Sequence, residues 1–132
     1  MDAAEARDFL REHHRAVVAT FRADGRPHLS PVLAGVDEKG RVIISSTEDR
    51  VKVRNLRRDP RIAVCVFAEG FFGPWLQVEG DAEVVSLPEA MEPLVDYYRR
   101  IAGEHPDWDE YRAAMKRERR VLIRFEIARA IG

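Results

Sequence analysis

Residues 16–45 read AVVATFRADGRPHLSPVLAGVDEKGRVIIS, and this stretch decides the fold. Ala16 to Phe21 is apolar and partly β-branched, as a buried strand requires. Arg22-Ala23-Asp24-Gly25-Arg26 follows, and Asp-Gly between two apolar runs is a strong hairpin signal. His28 to Gly35 is the returning strand. Pro31 interrupts it: proline has no N–H to donate, so the backbone there cannot be fully laddered. Asp37-Glu38-Lys39-Gly40 makes a second turn, and Val42 to Ser45 a third strand. Strands joined by turns this short run antiparallel, because a parallel pair needs a crossover of a dozen residues or more.

The rest of the chain extends this pattern. Residues 3–14 read as a helix, with Ala6, Phe9, Leu10 and His13 at helical spacing and Asp2 available as a cap. Residues 61–67 are an apolar fourth strand. Residues 75–85 alternate cleanly, with Leu76, Val78, Gly80, Ala82 and Val84 on one face and Gln77, Glu79, Asp81 and Glu83 on the other. That is a half-solvated strand of a length suited to a barrel. Helices are expected over 88–101, ended by Gly103, and over 107–116, capped by Asp107. Residues 121–127 alternate in a final strand. The expectation is a mainly β protein with peripheral helices: six antiparallel strands closed into a small barrel, forming one domain over residues 1–132.

Composition excludes several function classes. The 132 residues carry 22 Lys and Arg against 23 Asp and Glu, a formal net charge of -1. A broadly basic nucleic-acid binder is excluded, and no nucleic acid is expected as partner. The single cysteine, Cys65, permits no intrachain disulfide. No apolar run approaches the ~18 residues of a membrane span, and the N-terminal 15 residues hold no signal-peptide pattern. A cytoplasmic protein is therefore expected. No G-x-G-x-x-G, no G-x-S-x-G and no CxxC occurs, and the four histidines lack ligand spacing. No metal site and no catalytic side chain is assigned. Any chemistry is expected to come from a bound organic cofactor.

One segment carries a local signal. Ser45-Ser46-Thr47 precedes a run from Glu48 to Arg61 in which six basic residues oppose three acidic ones. Thr47 can cap a helix with Glu48 and Asp49 in its first turn, and Pro60 stops it. Hydroxyls, free N–H groups at a helix start and nearby Arg and Lys together suit a phosphate. The same charges also suit a solvated amphipathic helix, and the residues alone leave both readings open.

Three blocks carry a family resemblance. They are Ala19 to Ser30, with Asp24-Gly25-Arg26-Pro27; Arg50-Val51-Lys52-Val53-Arg54-Asn55-Leu56-Arg57-Arg58-Asp59-Pro60-Arg61; and Tyr98 to Arg112, with Gly103-Glu104-His105-Pro106-Asp107-Trp108. Through them the chain resembles the pyridoxamine-phosphate-oxidase-like split β-barrel proteins, in the actinobacterial branch that uses the deazaflavin coenzyme F420. The resemblance implies a homodimer with two cofactor sites at the interface. It implies that Arg50, Lys52 and Asn55 hold the cofactor phosphate. Ser30, Pro31 and Val32, with Ile44, Ser45, Ser46 and Thr47, would line the ring and ribityl chain. Trp75 and Gln77 would come from the other subunit. Arg54, Arg57 and Arg58 could meet the acidic tail of F420 by charge complementarity. The implied activity is hydride transfer from reduced F420 to a small unsaturated molecule; FMN chemistry on the same barrel and non-catalytic F420 binding are the alternatives. The chain ends at Ile131-Gly132 without the segment that holds substrate in true pyridoxamine phosphate oxidases, so that activity is not expected.

Overall fold

The computed structural model describes residues 1–132. The elements are α1 (Ala3–Glu12), β1 (Arg15–Phe21), β2 (Pro27–Val36), β3 (Val42–Thr47), α2 (Val51–Arg58), β4 (Arg61–Phe67), β5 (Trp75–Asp81), β6 (Glu83–Val85), α3 (Met91–Ala102), α4 (Trp108–Arg117), β7 (Arg120–Phe125) and β8 (Arg129–Ile131). All strand pairs are antiparallel, in the order β6-β7-β3-β2-β1-β4-β5-β8.

The two expected turns form for the expected reasons. In the first, the Arg22 N–H donates to the Arg26 carbonyl at 2.9 Å, and Gly25 takes φ +85°, a left-handed conformation that glycine adopts without cost. In the second, one oxygen of Asp37 accepts from the Lys39 and Arg41 amides, and the other accepts from the Arg41 guanidinium at 2.9 Å. At the N-terminus, Asp2 and Glu5 form a reciprocal capping box on α1.

The strand number differs from the expected six. The alternating run 75–85 breaks at Ala82, whose N–H donates to the Pro60 carbonyl. On one side of that corner β5 pairs with β4 and β8; on the other, β6 pairs with β7. The last strand breaks likewise after Phe125, so β7 pairs with β3 and β8 with β5. Each long strand thus serves both ends of a curled sheet, and eight strands result. The two corners touch. A Cβ on Gly80 would lie 2.4 Å from the Glu126 carbonyl oxygen, so only glycine admits this crossing.

The core has two parts. Inside the curl, Val18, Ile44, Val64, Val66, Leu76, Val78 and Ile123 pack with Leu10 of α1 and with Val53 and Leu56 of α2. On the opposite face of β3 and β7, Ile43 and Leu122 pack against Leu94 and Val95 of α3 and Tyr111 and Met115 of α4. The outer face of β1, β4 and β5 has no such cover. Trp75 of β5 is 46% exposed there, and Leu29 and Leu33 of the adjoining β2, opposite Ala19 and Arg15 of β1, are 62% and 47% exposed. No helix is long and apolar enough to cross a membrane.

Candidate functional site

The site forms where β2 and β3 part company. Their ladder runs Val36↔Val42, Gly35↔Ile43 and Ala34↔Ile44, and then stops. Beyond that point each strand keeps a different neighbour. β2 stays paired with β1 as far as Pro27, and β3 stays paired with β7 as far as Thr47↔Arg120. The Ala34 N–H donates to the His14 carbonyl at 2.8 Å, so the polar groups of Ala34 face β1. Alternation along the strand therefore turns the Leu33 and Pro31 backbone toward β3. Pro31 presents no N–H there. The result is an open seam flanked by residues 29–33 and 45–47.

Helix α2 sits at the mouth of this seam. It begins later than its sequence suggests. Thr47 is the last residue of β3, Glu48 and Asp49 lie in a turn, and Arg50 occupies the N-cap without a side-chain cap bond. Thr47 is taken into the ladder, and its hydroxyl donates to Asp49 at 2.7 Å. The Val51 and Lys52 amides therefore open the helix with no backbone acceptor, as the first turn of any helix leaves them.

Lys52 is the unusual residue. It is only 8% exposed, and the sole hydrogen bond of its ammonium is to the Ser30 hydroxyl at 3.2 Å. No carboxylate pairs with it. Burial pushes its ammonium below the usual lysine value, and the positive charges of Arg50 and Arg120 push the same way. A buried cation facing further cations, with hydroxyls beside it, is stabilised by an incoming anion and by nothing else within reach. This donor set fits a phosphate: an ammonium, the Ser30 hydroxyl, free helix-start amides and an unpaired Arg50 guanidinium.

The residues singled out from sequence fare differently. Ser30 and Lys52 meet directly, and Arg50 stands at the same helix start. Pro31 and Val32 flank the seam on β2, as do Ser45, Ser46 and Thr47 on β3, although the two strand faces divide them. Ser46 is buried on the inner side, whereas Ser45 faces a cavity of about 440 Å³ that also borders Tyr97, Tyr111 and Arg120. Ile44 is wholly excluded from solvent in the core, so it supports the seam from behind.

Asn55, expected to hold phosphate, is engaged within the chain. Its amide donates to the Thr20 hydroxyl at 3.1 Å and accepts from Arg58 at 3.2 Å, in a buried tie between α2 and β1. The arginines expected to meet an acidic tail are also largely engaged. Arg57 grips both oxygens of Glu48 at 2.8 and 3.0 Å, and Arg58 donates to the Phe21 carbonyl at 2.7 Å. The Ser86 hydroxyl and then Arg57 hold the Glu48 carboxyl below its usual range. Arg54 donates to the Asp49 carbonyl.

Trp75 and Gln77 lie on β5, three strands away from β2, and the chain does not bring them to its own Lys52. The Gln77 amide donates to Glu79. Two residues at the seam escaped the sequence reading. Arg120 reaches it only through the Thr47↔Arg120 register, and Tyr97 only through the packing of α3. None of the larger cavities on the chain is lined by Lys52 or Ser30.

Residues 3–131 match the family described as pyridoxamine 5'-phosphate oxidase. The F420H(2)-dependent biliverdin reductase of Mycobacterium tuberculosis (strain CDC 1551 / Oshkosh) is 31% identical over 129 residues, which is 97% of this chain and 85% of that protein. The crystal structure of the conserved hypothetical protein Rv2991 from Mycobacterium tuberculosis is similar, with a TM-score of 0.79 and 28% identity over 98% of this chain and 82% of the other. An F420 reductase shares the fold, with a TM-score of 0.71 and 23% identity over 94% of both chains. With its residues 3–131 matched and its curled antiparallel sheet shared, the chain belongs to the pyridoxamine 5'-phosphate oxidase family.

Proposed function

We propose that this protein is an oxidoreductase that uses reduced coenzyme F420 to reduce a small unsaturated molecule. The observation that carries the reading is the buried Lys52, with Ser30 as its only partner and two arginines nearby. F420 and FMN both present a phosphate on a ribityl chain, and that dianion answers the unmet charge. The relatedness to an F420H(2)-dependent reductase favours the deazaflavin over FMN.

Reduced F420, when bound, supplies a hydride to an electron-poor C=C or C=N bond. The chain's part is to bind and position. Lys52, Arg50 and Ser30 fix the phosphate, the seam between β2 and β3 receives the ring and ribityl chain, and the walls exclude water. No acid or base side chain is assigned to the reaction, and solvent supplies the proton.

A second copy of the chain completes the site in this reading. The uncovered face of β1, β4 and β5 supports a homodimer. Val17, Ala19, Ala63, Cys65 and Phe67 alternate there, flanked by exposed Leu29, Leu33 and Trp75. A contiguous apolar face of this kind is the mark of an interaction surface. Trp75 and Gln77 of that face would then serve the neighbouring copy's seam.

Titration of the purified protein with F420 and with FMN, followed by reoxidation of the reduced complex against a panel of enones, tests the reading. F420 binding with turnover supports it. FMN binding without F420 binding would move the protein to flavin chemistry, and F420 binding without any turnover would make it a cofactor carrier.

A further inference from the structure

The β2–β3 seam opens at a definite residue pair, and one side chain stands in the opening. If the register Gly35↔Ile43 continued, Leu33 would pair with Ser45 and Pro31 with Thr47. The Leu33 carbonyl faces β3, but it does not receive the Ser45 amide. It receives the Tyr97 hydroxyl instead, at 2.8 Å. The Ser45 amide lies beside the same phenol oxygen, where it offsets part of the rise that burial imposes on the phenol's pKa.

Helix α3 is placed to deliver this group. Ile101 lies one turn beyond Tyr97 on the same helix face, and its side chain sits 3.4 Å from where a Cβ on Gly35 would be. One turn of helix rises about 6 Å over four residues, and two residues of strand span about 6.6 Å. Ile101 over Gly35 therefore sets Tyr97 against Leu33.

We infer that Tyr97 is a positioning wedge: its hydroxyl occupies the place of a ladder partner between Leu33 and Ser45, and so holds open the slot that admits the cofactor. Without the hydroxyl, the Leu33 carbonyl and the Ser45 amide are the next pair in register and close on each other. Pro31 stops the ladder one pair later, because it has no amide to offer Thr47. The opening thus rests on two residues, a proline that prevents full zipping and a tyrosine that prevents the first step. The part concerning the cofactor rests on the reading of the seam as its slot; the wedge itself does not.

Tyr97→Phe tests both. Amide hydrogen exchange at Ser45 reads the seam without any cofactor, since a direct cross-strand bond protects that amide. In the folded variant the Ser45 amide is expected to exchange at least tenfold more slowly than in wild type, and the affinity for F420 or FMN to fall at least tenfold. Unchanged or faster exchange at Ser45 overturns the wedge. Slowed exchange with unchanged affinity overturns its positioning role. If wild type binds neither cofactor, the slot reading fails while the exchange result still decides the wedge. Should the variant not fold, wild type alone decides: Ser45 must exchange at least tenfold faster than Ile43 on the same strand edge, and equal protection overturns the inference.

Discussion

The two halves of the sheet are finished in opposite ways. β3 and β7 are covered on both faces, by the barrel interior and by the α3–α4 pair, where Tyr111 donates to the Leu94 carbonyl at 2.8 Å. Burial pushes the Tyr111 phenol up to about 12. β1, β4 and β5 are covered on one face only; on the other, β1 and β4 carry a row of small and apolar side chains and β5 carries Trp75, Gln77 and Glu79. The covered half carries its own stability within one chain. The bare half leaves a surface that a second copy would hide, and the seam lies on the border between the two.

The largest effect should come from the covered half. Leu94→Ala removes a fully buried side chain from the α3–α4 cluster and is expected to destabilise the fold by ~2–5 kcal/mol in urea denaturation. A loss below ~1 kcal/mol would mean that the helices are loosely attached. Next, Asn55→Ala strands the fully buried Thr20 hydroxyl and takes from Arg58 one of its two acceptors, at a cost of ~1–3 kcal/mol. Asn55 as a phosphate ligand would instead weaken cofactor binding while leaving the apoprotein as stable as before.

At the border, Lys52→Met separates stability from function. The lysine's pKa in the fold is lower than in the unfolded chain, so the unfolded state binds more protons as pH rises toward 10.5. The Lys52 penalty is therefore present below its folded pKa and relieved above it. The apoprotein of Lys52→Met should be at least as stable as wild type at pH 7, with the difference shrinking as pH rises toward 10.5. A variant that is less stable at pH 7 would show that an internal anion, beyond the Ser30 hydroxyl, offsets the Lys52 charge. The smallest effect on the chain itself should come from the bare half. Leu29→Asp should change unfolding free energy by less than ~0.5 kcal/mol yet convert a dimer to a monomer in sedimentation. An unchanged sedimentation coefficient would place the dimer contact elsewhere or exclude it.

The hairpins were legible because Asp24-Gly25 and Asp37-Gly40 mark turns that few other residues can make. The corners at Ala82 and after Phe125 were not. Inside–outside alternation runs straight through a strand that merely changes partners, so Val78, Ala82 and Val84 read as one strand while the chain turns. Thr47 looked like a helix cap because its hydroxyl precedes acidic residues; pairing with Arg120 claims it for β3. Lys52 stood out in the sequence because basic residues follow three hydroxyls, and the structure buries it against Ser30, whereas Asn55, one turn on, faces β1. Tyr97 carried an ordinary packing signal. Its place at Leu33 depends on α3 crossing a strand that lies more than sixty residues earlier.

The most direct test of the central claim is calorimetric titration of F420 into wild type and Lys52→Ala. The account predicts that wild type binds F420 and that the variant binds it ~10- to 150-fold more weakly, a loss of ~1.5–3 kcal/mol, as for loss of a charge-assisted hydrogen bond. Equal affinity in the two proteins would contradict it, because the buried, unpaired ammonium would then have no part in holding the anion.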